Sequence, residues 1–342
     1  MSRTDRPVKI AVVGVGYWGP NLVRNLHELS AASLETVCDL RPEALGRIEG
    51  RYPALATTGD YAEVLADGEI EAVVLATPVG THAELATAAL EAGKHVLVEK
   101  PLAGSVAEAE SLIELAARVG RLLMPGHTFL YSPPVNVIRE LIRDGQLGQI
   151  QFISSSRVNL GIHQSDVSVV WDLAPHDFSI LRYWLDELPH RVAAVSRSCV
   201  IPGVADVAFV SLEYPSGVLA HAEMSWLAPS KLRRTAVVGS EKMVVYDDTS
   251  NEPVKVYDSG VMPHDPETFE EFKLAYRVGD VVSPRVAATE PLLLELEDFC
   301  RSIRTGETPR SSDQVGLDIV RMIEAVERSL AEGKPIGTKI GD

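Results

Sequence analysis

Val8-Lys9-Ile10-Ala11-Val12-Val13-Gly14-Val15-Gly16-Tyr17-Trp18-Gly19 is an apolar run that breaks into three glycines spaced G-x-G-x-x-G. Val8–Val13 reads as a strand, and Pro20–Leu29 beyond the last glycine reads as a helix. Between a strand and a helix each glycine has its own physical task. Gly14 permits a tight turn, Gly16 lets the backbone approach a pyrophosphate, and Gly19 allows the helix to pack closely on the strand. The N–H groups at the helix start, behind Tyr17 and Trp18, then face the phosphates. Glycine-rich turns are common on their own; the flanking strand and helix make this one a dinucleotide turn.

The next stretch carries a second element of that pattern. Asp39 lies 20 residues beyond Gly19, closing the strand Leu34–Cys38. A carboxylate there accepts hydrogen bonds from the adenosine ribose and repels a 2′-phosphate, so NAD is expected. Arg41 leaves NADP open, because a guanidinium could hold a 2′-phosphate or stack on adenine. A solvated turn acid is the plain alternative for Asp39.

Outward from this point, short apolar strands alternate with helices. Helix Glu43–Tyr52 precedes strand Ala72–Ala76, and helix His82–Ala92 stops at Gly93. Strand His95–Val98 follows, then helix Val106–Val119 stopping at Gly120, and strand Leu122–Pro125. Continuous apolar strands between helices imply a parallel sheet covered on both faces. Helix Pro134–Arg143 leads out of this domain. Near Gly148 the pattern changes. Gln149–Val158, Val192–Arg197, Val207–Tyr214, Val218–Trp226, Arg234–Val238 and Met243–Asp247 read as strands with few helices between them, and Pro215-Ser216-Gly217 reads as a hairpin turn. Residues 248–289 are rich in turn formers and give no clear elements. Helices Glu290–Thr305 and Gln314–Ala331 close the chain. The expected fold is an α/β Rossmann domain over 1–125, followed by a C-terminal α+β domain over 126–342 with a large open-faced, mostly antiparallel sheet. The closing helices could pack back on the first domain.

Bulk properties bound the function. The chain has 342 residues, 46% hydrophobic and 23% charged, as a two-domain globular enzyme would. Its net charge of −16 disfavours nucleic acid as a partner. Cys38, Cys199 and Cys300 are odd in number and widely spaced, so neither a disulfide framework nor a metal site is expected. No apolar signal core opens the sequence, and no stretch approaches the ~20 apolar residues of a membrane span. The cytoplasm is the expected compartment.

Three segments carry candidate chemistry. Glu99-Lys100-Pro101 ends a parallel strand, at the sheet edge where ligands bind. The following proline biases Lys100 to extended geometry, off the helix that follows, where a lysine can point at a substrate oxygen; an ordinary surface lysine before a turn is the alternative. In Trp171-Asp172-Leu173-Ala174-Pro175-His176-Asp177-Phe178, Pro175 reads as a first-turn helix residue. Asp172 and His176 stand four apart and meet if that turn is helical. A carboxylate fixes the tautomer of a neighbouring His and raises its basicity, which suits proton transfer near neutral pH. A helix cap beside a structural His is the alternative. Thr77-Pro78-Val79-Gly80-Thr81-His82 follows another strand and could border the nicotinamide ribose, with His82 a helix-start residue rather than a catalyst.

Together GVGYWG, TPVGTH, AGKHVLVEKPLA, DLAPHD and the closing helix pair resemble the Gfo/Idh/MocA oxidoreductases over essentially the whole chain. AGKHVLVEKPLA is the most specific stretch. The resemblance implies a catalytic group of Lys100, Asp172 and His176, with Glu99 among the cofactor-binding residues, and an open-faced sheet that mediates a homodimer or homotetramer. It implies hydride transfer between NAD and a secondary hydroxyl. In that scheme His176 is the general base, Lys100 stabilises the alkoxide, and Asp172 orients the His or the Lys. Whether Lys100 or His176 is the proximal base stays open. The segment around Arg157–Gly161 is similar to that of sugar and nucleotide-sugar dehydrogenases. Asn159, His163 and His127 are candidate substrate contacts, each equally readable as a loop residue. Leu130 stands where many relatives carry an Arg, which argues against a carboxylated substrate such as a uronate. Two other readings compete with the dehydrogenase: a glycosidase that retains NAD through transient oxidation and elimination, and a regulatory protein that responds to sugar or dinucleotide.

Overall fold

The computed structural model describes residues 6–161, 167–262 and 275–338. The chain divides into two compact units, 1–131 with 289–321 and 132–288 with 322–342.

The first unit begins with β1 (Val8–Val13), α1 (Gly19–Glu28), β2 (Ala32–Cys38), α2 (Pro42–Arg51), β3 (Ala56–Thr58), α3 (Tyr61–Ala66) and β4 (Ala72–Leu75). It continues with α4 (His82–Glu91), β5 (His95–Glu99), α5 (Val106–Val119) and β6 (Leu123–Gly126). The six strands form one parallel sheet in the order β3-β2-β1-β4-β5-β6. The order reverses between β1 and β4, which opens a ligand crevice at the carboxyl ends of those strands. The central strands are apolar on both faces because helices cover both: Ile10, Val12, Val73, Val74, Leu97 and Val98 are fully buried. Local signals set the helix limits. Ser105 Oγ accepts the Glu108 N–H at the start of α5, and Gly120 ends it in the left-handed conformation (φ 63°).

The second unit carries α6 (Pro133–Arg143), β7 (Ile150–Leu160), α7 (Val169–Leu185), β8 (Arg191–Arg197), β9 (Val207–Glu213), β10 (Leu219–Ser225) and β11 (Leu227–Gly239). Then come β12 (Met243–Asp247), β13 (Val254–Tyr257), β14 (Gly260–Met262), β15 (Ala275–Arg277) and β16 (Val281–Val282). The chain closes with α8 (Pro291–Thr305), α9 (Asp313–Glu332) and β17 (Ile336–Gly337). Nine strands form one sheet in the order β16-β13-β12-β11-β7-β10-β9-β8-β17. Every neighbouring pair is antiparallel except β7 with β10. A Rossmann sheet plus a large, mostly antiparallel one is the fold class expected. The β9–β10 hairpin turns where expected: the Gly217 N–H reaches Tyr214 O with Gly217 at φ 89°. Residues 248–289, unreadable as elements, supply β13 to β16.

Strand alternation divides the large sheet into two faces. Ile153, Ser155, Ala208, Val210, Leu212, Ala222 and Met224 point into the core, where α7 packs. Phe152, Leu219, Phe209 and Val195 lie on the other face and are exposed. Helix α8 belongs to the first unit and is tied there at both ends. Glu290 at its start receives Arg24 (2.6 Å) and Asn25 (3.1 Å) from α1, and Arg304 at its end donates twice to Glu71 (2.9 Å each) beside β4.

Candidate active site

In the first unit the glycine turn has the shape of a phosphate cradle. Gly14 sits at φ 90°, and a Cβ there would lie 2.7 Å from Ala76 O. A Cβ on Gly19 would lie 2.1 Å from Gly14 O, whereas one on Gly16 would meet only Arg41 Nη2 at 3.6 Å. The first and third glycines are thus required by packing, and the second leaves space above the turn. Pro20 in the first turn of α1 suits a helix start. Tyr17 is largely exposed, and Trp18 is at the N-cap.

Asp39 is buried under this turn. Its Oδ2 accepts the Val15 N–H (2.8 Å), and its Oδ1 accepts the Arg41 N–H (2.9 Å). The Arg41 guanidinium adds two more hydrogen bonds. Arg41 first, then the Val15 N–H, hold the carboxyl down at about 2 against its burial. These residues fit a dinucleotide: an uncrowded glycine turn, a helix start, and an ionised acid at the end of β2.

The carboxyl ends of β4, β5 and β6 supply the rest. The Thr77–Thr81 turn is closed by Thr81 Oγ1 on Thr77 Oγ1 (2.8 Å), with Pro78 leading into a short 3-10 turn. His82 starts α4 as expected. It is buried, with Nδ1 2.9 Å from Pro101 O and Nε2 2.9 Å from Thr77 O, and so braces two turns against each other. Burial lowers its proton affinity. Lys100 follows β5 and precedes Pro101 across a cis peptide bond. Glu99 Oε2 accepts the Lys100 N–H (3.3 Å), and burial pushes Glu99 up to about 7. His127, just after β6, is buried with no hydrogen-bond partner on either ring nitrogen among the described residues, and burial plus the Lys100 charge push it down to about 3. Leu130 is buried in the short turn Thr128–Tyr131, and its carbonyl accepts Arg310 Nη1 (2.8 Å).

In the second unit α7 carries Asp172 and His176 one turn apart, both half-buried. The helix starts at Val169, so Pro175 is an interior residue rather than a first-turn one. It is tolerated at the cost of one backbone hydrogen bond, leaving the Trp171 carbonyl without its usual helical donor. Asp172 Oδ2 accepts the Trp226 indole N–H (3.0 Å). Trp226 is buried against Gly161, where a Cβ would stand 2.3 Å from Trp226 Cδ1. Asn159 on β7 keeps its Oδ1 buried without a hydrogen-bond partner among the described residues. His163 lies outside the described residues.

Several members of this framework escaped the sequence reading. Arg157 and Asp177 form a fully buried ion pair (Nε–Oδ2 2.8 Å) that pins α7 to β7, joined by Ser155 Oγ (2.9 Å). Strand alternation was the available signal: Arg157 shares its face with Ile153 and Ser155, which no unpaired arginine would do. Trp226 as the partner of Asp172 and Glu295 on α8 had no such signal. Among the described residues no three His, Cys, Asp or Glu side chains converge as metal ligands would, and no helix is long and apolar enough to cross a membrane.

Comparison with known proteins agrees with this geometry. Residues 8–127 match the family described as an oxidoreductase family with an NAD-binding Rossmann fold, and residues 135–245 match the GFO/IDH/MocA C-terminal domain. The myo-inositol 2-dehydrogenase of Thermotoga maritima is 24% identical over 339 residues, covering 96% of this chain and 98% of that enzyme. The D-xylose 1-dehydrogenase (NADP(+)) 2 of Haloferax volcanii is 27% identical over 287 residues, 81% of this chain and 83% of that one. The crystal structure of GenD2 from gentamicin A biosynthesis, in complex with NAD, superposes with a TM-score of 0.84 at 24% identity, covering 98% of this chain and 97% of that one. A glycine cradle with an acid beneath it, on a chain matched in both of its parts, makes this protein a member of the Gfo/Idh/MocA family and an NAD(P)-dependent oxidoreductase.

Proposed function

We propose that the enzyme oxidises a secondary hydroxyl of a sugar, nucleotide sugar or cyclitol to a ketone, or reduces the ketone, with NAD as the preferred cofactor. The observation that carries this reading is the placement of Lys100 directly after β5, at the carboxyl edge of the parallel sheet that bears the glycine cradle. Bound NAD supplies the hydride chemistry. Lys100 donates a hydrogen bond to the reacting oxygen and stabilises its developing charge. His176 takes the hydroxyl proton as general base, and Asp172 orients its ring from one turn away. Asn159 and His127, whose buried polar atoms have no hydrogen-bond partner among the described residues, are substrate contacts. The inositol and xylose dehydrogenases among the relatives support a polyhydroxylated substrate. We further propose that the exposed face of the nine-stranded sheet joins copies of the chain into a homodimer or homotetramer.

The test is reduction of NAD⁺ against a panel of inositols, free sugars and nucleotide sugars, using wild type, Lys100→Met and His176→Ala. One substrate class should give turnover in the wild type. Each variant should still bind dinucleotide and lose about 100-fold or more in kcat. Near-normal turnover in either variant removes that residue from its role. Release of an aglycone without net NADH from glycosides would replace the dehydrogenase with the redox-neutral glycosidase.

A further inference from the structure

His127 follows β6 with its ring buried and with no hydrogen-bond partner on Nδ1 or Nε2 among the described residues. A buried imidazole left in that state is destabilising, so the position calls for a partner that these residues do not supply. The residues on either side of it are treated in the opposite way. Thr128 Oγ1 donates to Glu295 Oε2 on α8 (2.8 Å), and Glu295 is itself fully buried. Tyr131 Oη donates to Asp298 Oδ2 (2.7 Å) and accepts the Ser311 N–H (3.1 Å). Leu130 O accepts Arg310 Nη1 (2.8 Å), and Pro125 O accepts Ser311 Oγ (2.6 Å). Gly316, in the first turn of α9, lets that helix close on the same place, since a Cβ there would stand 2.9 Å from Pro125 Cγ. Within the turn the His127 N–H reaches Pro125 O (3.0 Å), and His127 O accepts the Leu130 N–H (3.0 Å). The backbone of His127 is therefore held from both sides by a segment 167 or more residues further along the chain, and its side chain takes part in none of these bonds.

We propose that the closing segment is part of the substrate site, with Glu295 as a positioning residue: through Thr128 it holds His127 so that the ring offers one N–H and one bare nitrogen to a substrate hydroxyl. Burial and the Lys100 charge keep the ring neutral. A neutral imidazole has one donor and one acceptor, and an alcohol oxygen with its proton answers both. A carboxylate or phosphate oxygen without a proton answers only the N–H, so the arrangement selects an uncharged polyol group at this point. The proposal rests on the reading of His127 as a substrate contact.

The first test is magnetic resonance of the histidine rings in the full-length protein, labelled at histidine, with neither dinucleotide nor substrate added. The His127 signal is identified by its absence in His127→Ala. It should be single and narrow in the wild type. Thr128→Val removes the donor with little change of shape and should broaden or split the signal. Glu295→Gln, whose side-chain carbonyl still accepts from Thr128, should leave it narrow. A signal unchanged in Thr128→Val overturns the proposal. Steady-state kinetics with the polyol that turns over in the substrate panel gives a second measurement. Thr128→Val should raise KM for the polyol by about 10-fold, the effect of one misplaced hydrogen bond, with kcat within about twofold. KM for the dinucleotide should stay unchanged, and Glu295→Gln should restore the wild-type values. A rise of equal size in both KM values marks a general loosening of the unit and overturns the proposal. If His127→Ala raises KM for the polyol and Thr128→Val does not, the positioning role falls and the substrate contact stands. If His127→Ala leaves KM unchanged, the contact falls and the proposal with it.

Discussion

The Arg41 guanidinium closes on both carboxylate oxygens of Asp39, Nε to Oδ1 at 2.9 Å and Nη2 to Oδ2 at 2.8 Å. Arg41 is therefore engaged by the same acid that repels a 2′-phosphate. Removing that acid should release the guanidinium. Asp39→Ser is expected to lower kcat/KM for NAD⁺ and raise it for NADP⁺, moving the ratio by about 10-fold or more, and Arg41→Ala added to it should cancel the gain. Steady-state kinetics with both dinucleotides reads this directly; an unchanged ratio in Asp39→Ser would remove Asp39 from cofactor selection.

Acid should destabilise the first unit through two carboxylates. Asp39 is held at about 2 by Arg41, and Glu71 at about 2 by Arg304. Both folded values lie below the unfolded values near 4, so the stabilisation is complete above about pH 5 and is lost as pH falls toward 2. Each group contributes on the order of 2 kcal/mol within that window. Melting temperature against pH should fall steeply there, and Glu71→Gln should start lower and fall less.

Arg157 and Asp177 should behave as a unit. Deleting one leaves the other charge buried. Arg157→Leu or Asp177→Leu is expected to cost roughly 3–5 kcal/mol, and the double substitution less than the sum. Denaturant unfolding of the four proteins gives the coupling energy. A simple additive result would mean that Ser155 and its neighbours already satisfy each charge alone.

The open face of the large sheet offers the clearest test of assembly. Val195 and Phe209 pair across β8 and β9, as Phe152 and Leu219 do across β7 and β10, and all four are at least 41% exposed. Apolar patches of this kind mark an interface. Phe209→Asp with Leu219→Asp is expected to shift the sedimentation coefficient to that of a monomer without changing the circular dichroism. A wild type that already sediments as a monomer would end the proposal.

How much of this was visible in the sequence depended on how local the cause was. β1, β4 and β5 are mostly apolar runs ended by glycine or a polar turn, and hydropathy finds such runs. β3 is only Ala56-Thr57-Thr58 and has no pattern of its own; it exists because β2 offers it an edge. β11 reads as a strand only from Arg234, because Pro229-Ser230-Lys231 interrupts the alternation, yet the strand starts at Leu227 and passes that point with a register shift against β7. Pro175 imitates a helix start because prolines favour first turns, while tertiary packing carries α7 through it. The same divide runs through the site. The glycine turn, Asp39 and Glu99-Lys100 are contiguous or nearly so, and they were legible. Glu295 occupies an ordinary position in Leu294-Glu295-Leu296, and only folding buries it against Thr128.

Gly161 has no side chain to offer a substrate, and Trp226 stands where any larger residue would put its first carbon. If the indole were displaced, Asp172 would lose the donor at 3.0 Å that holds it, without any change to Asp172 itself. A random-mutagenesis screen for inactive variants should therefore return this glycine alongside the acids and bases, and a search that ranks positions by their functional groups would pass over it.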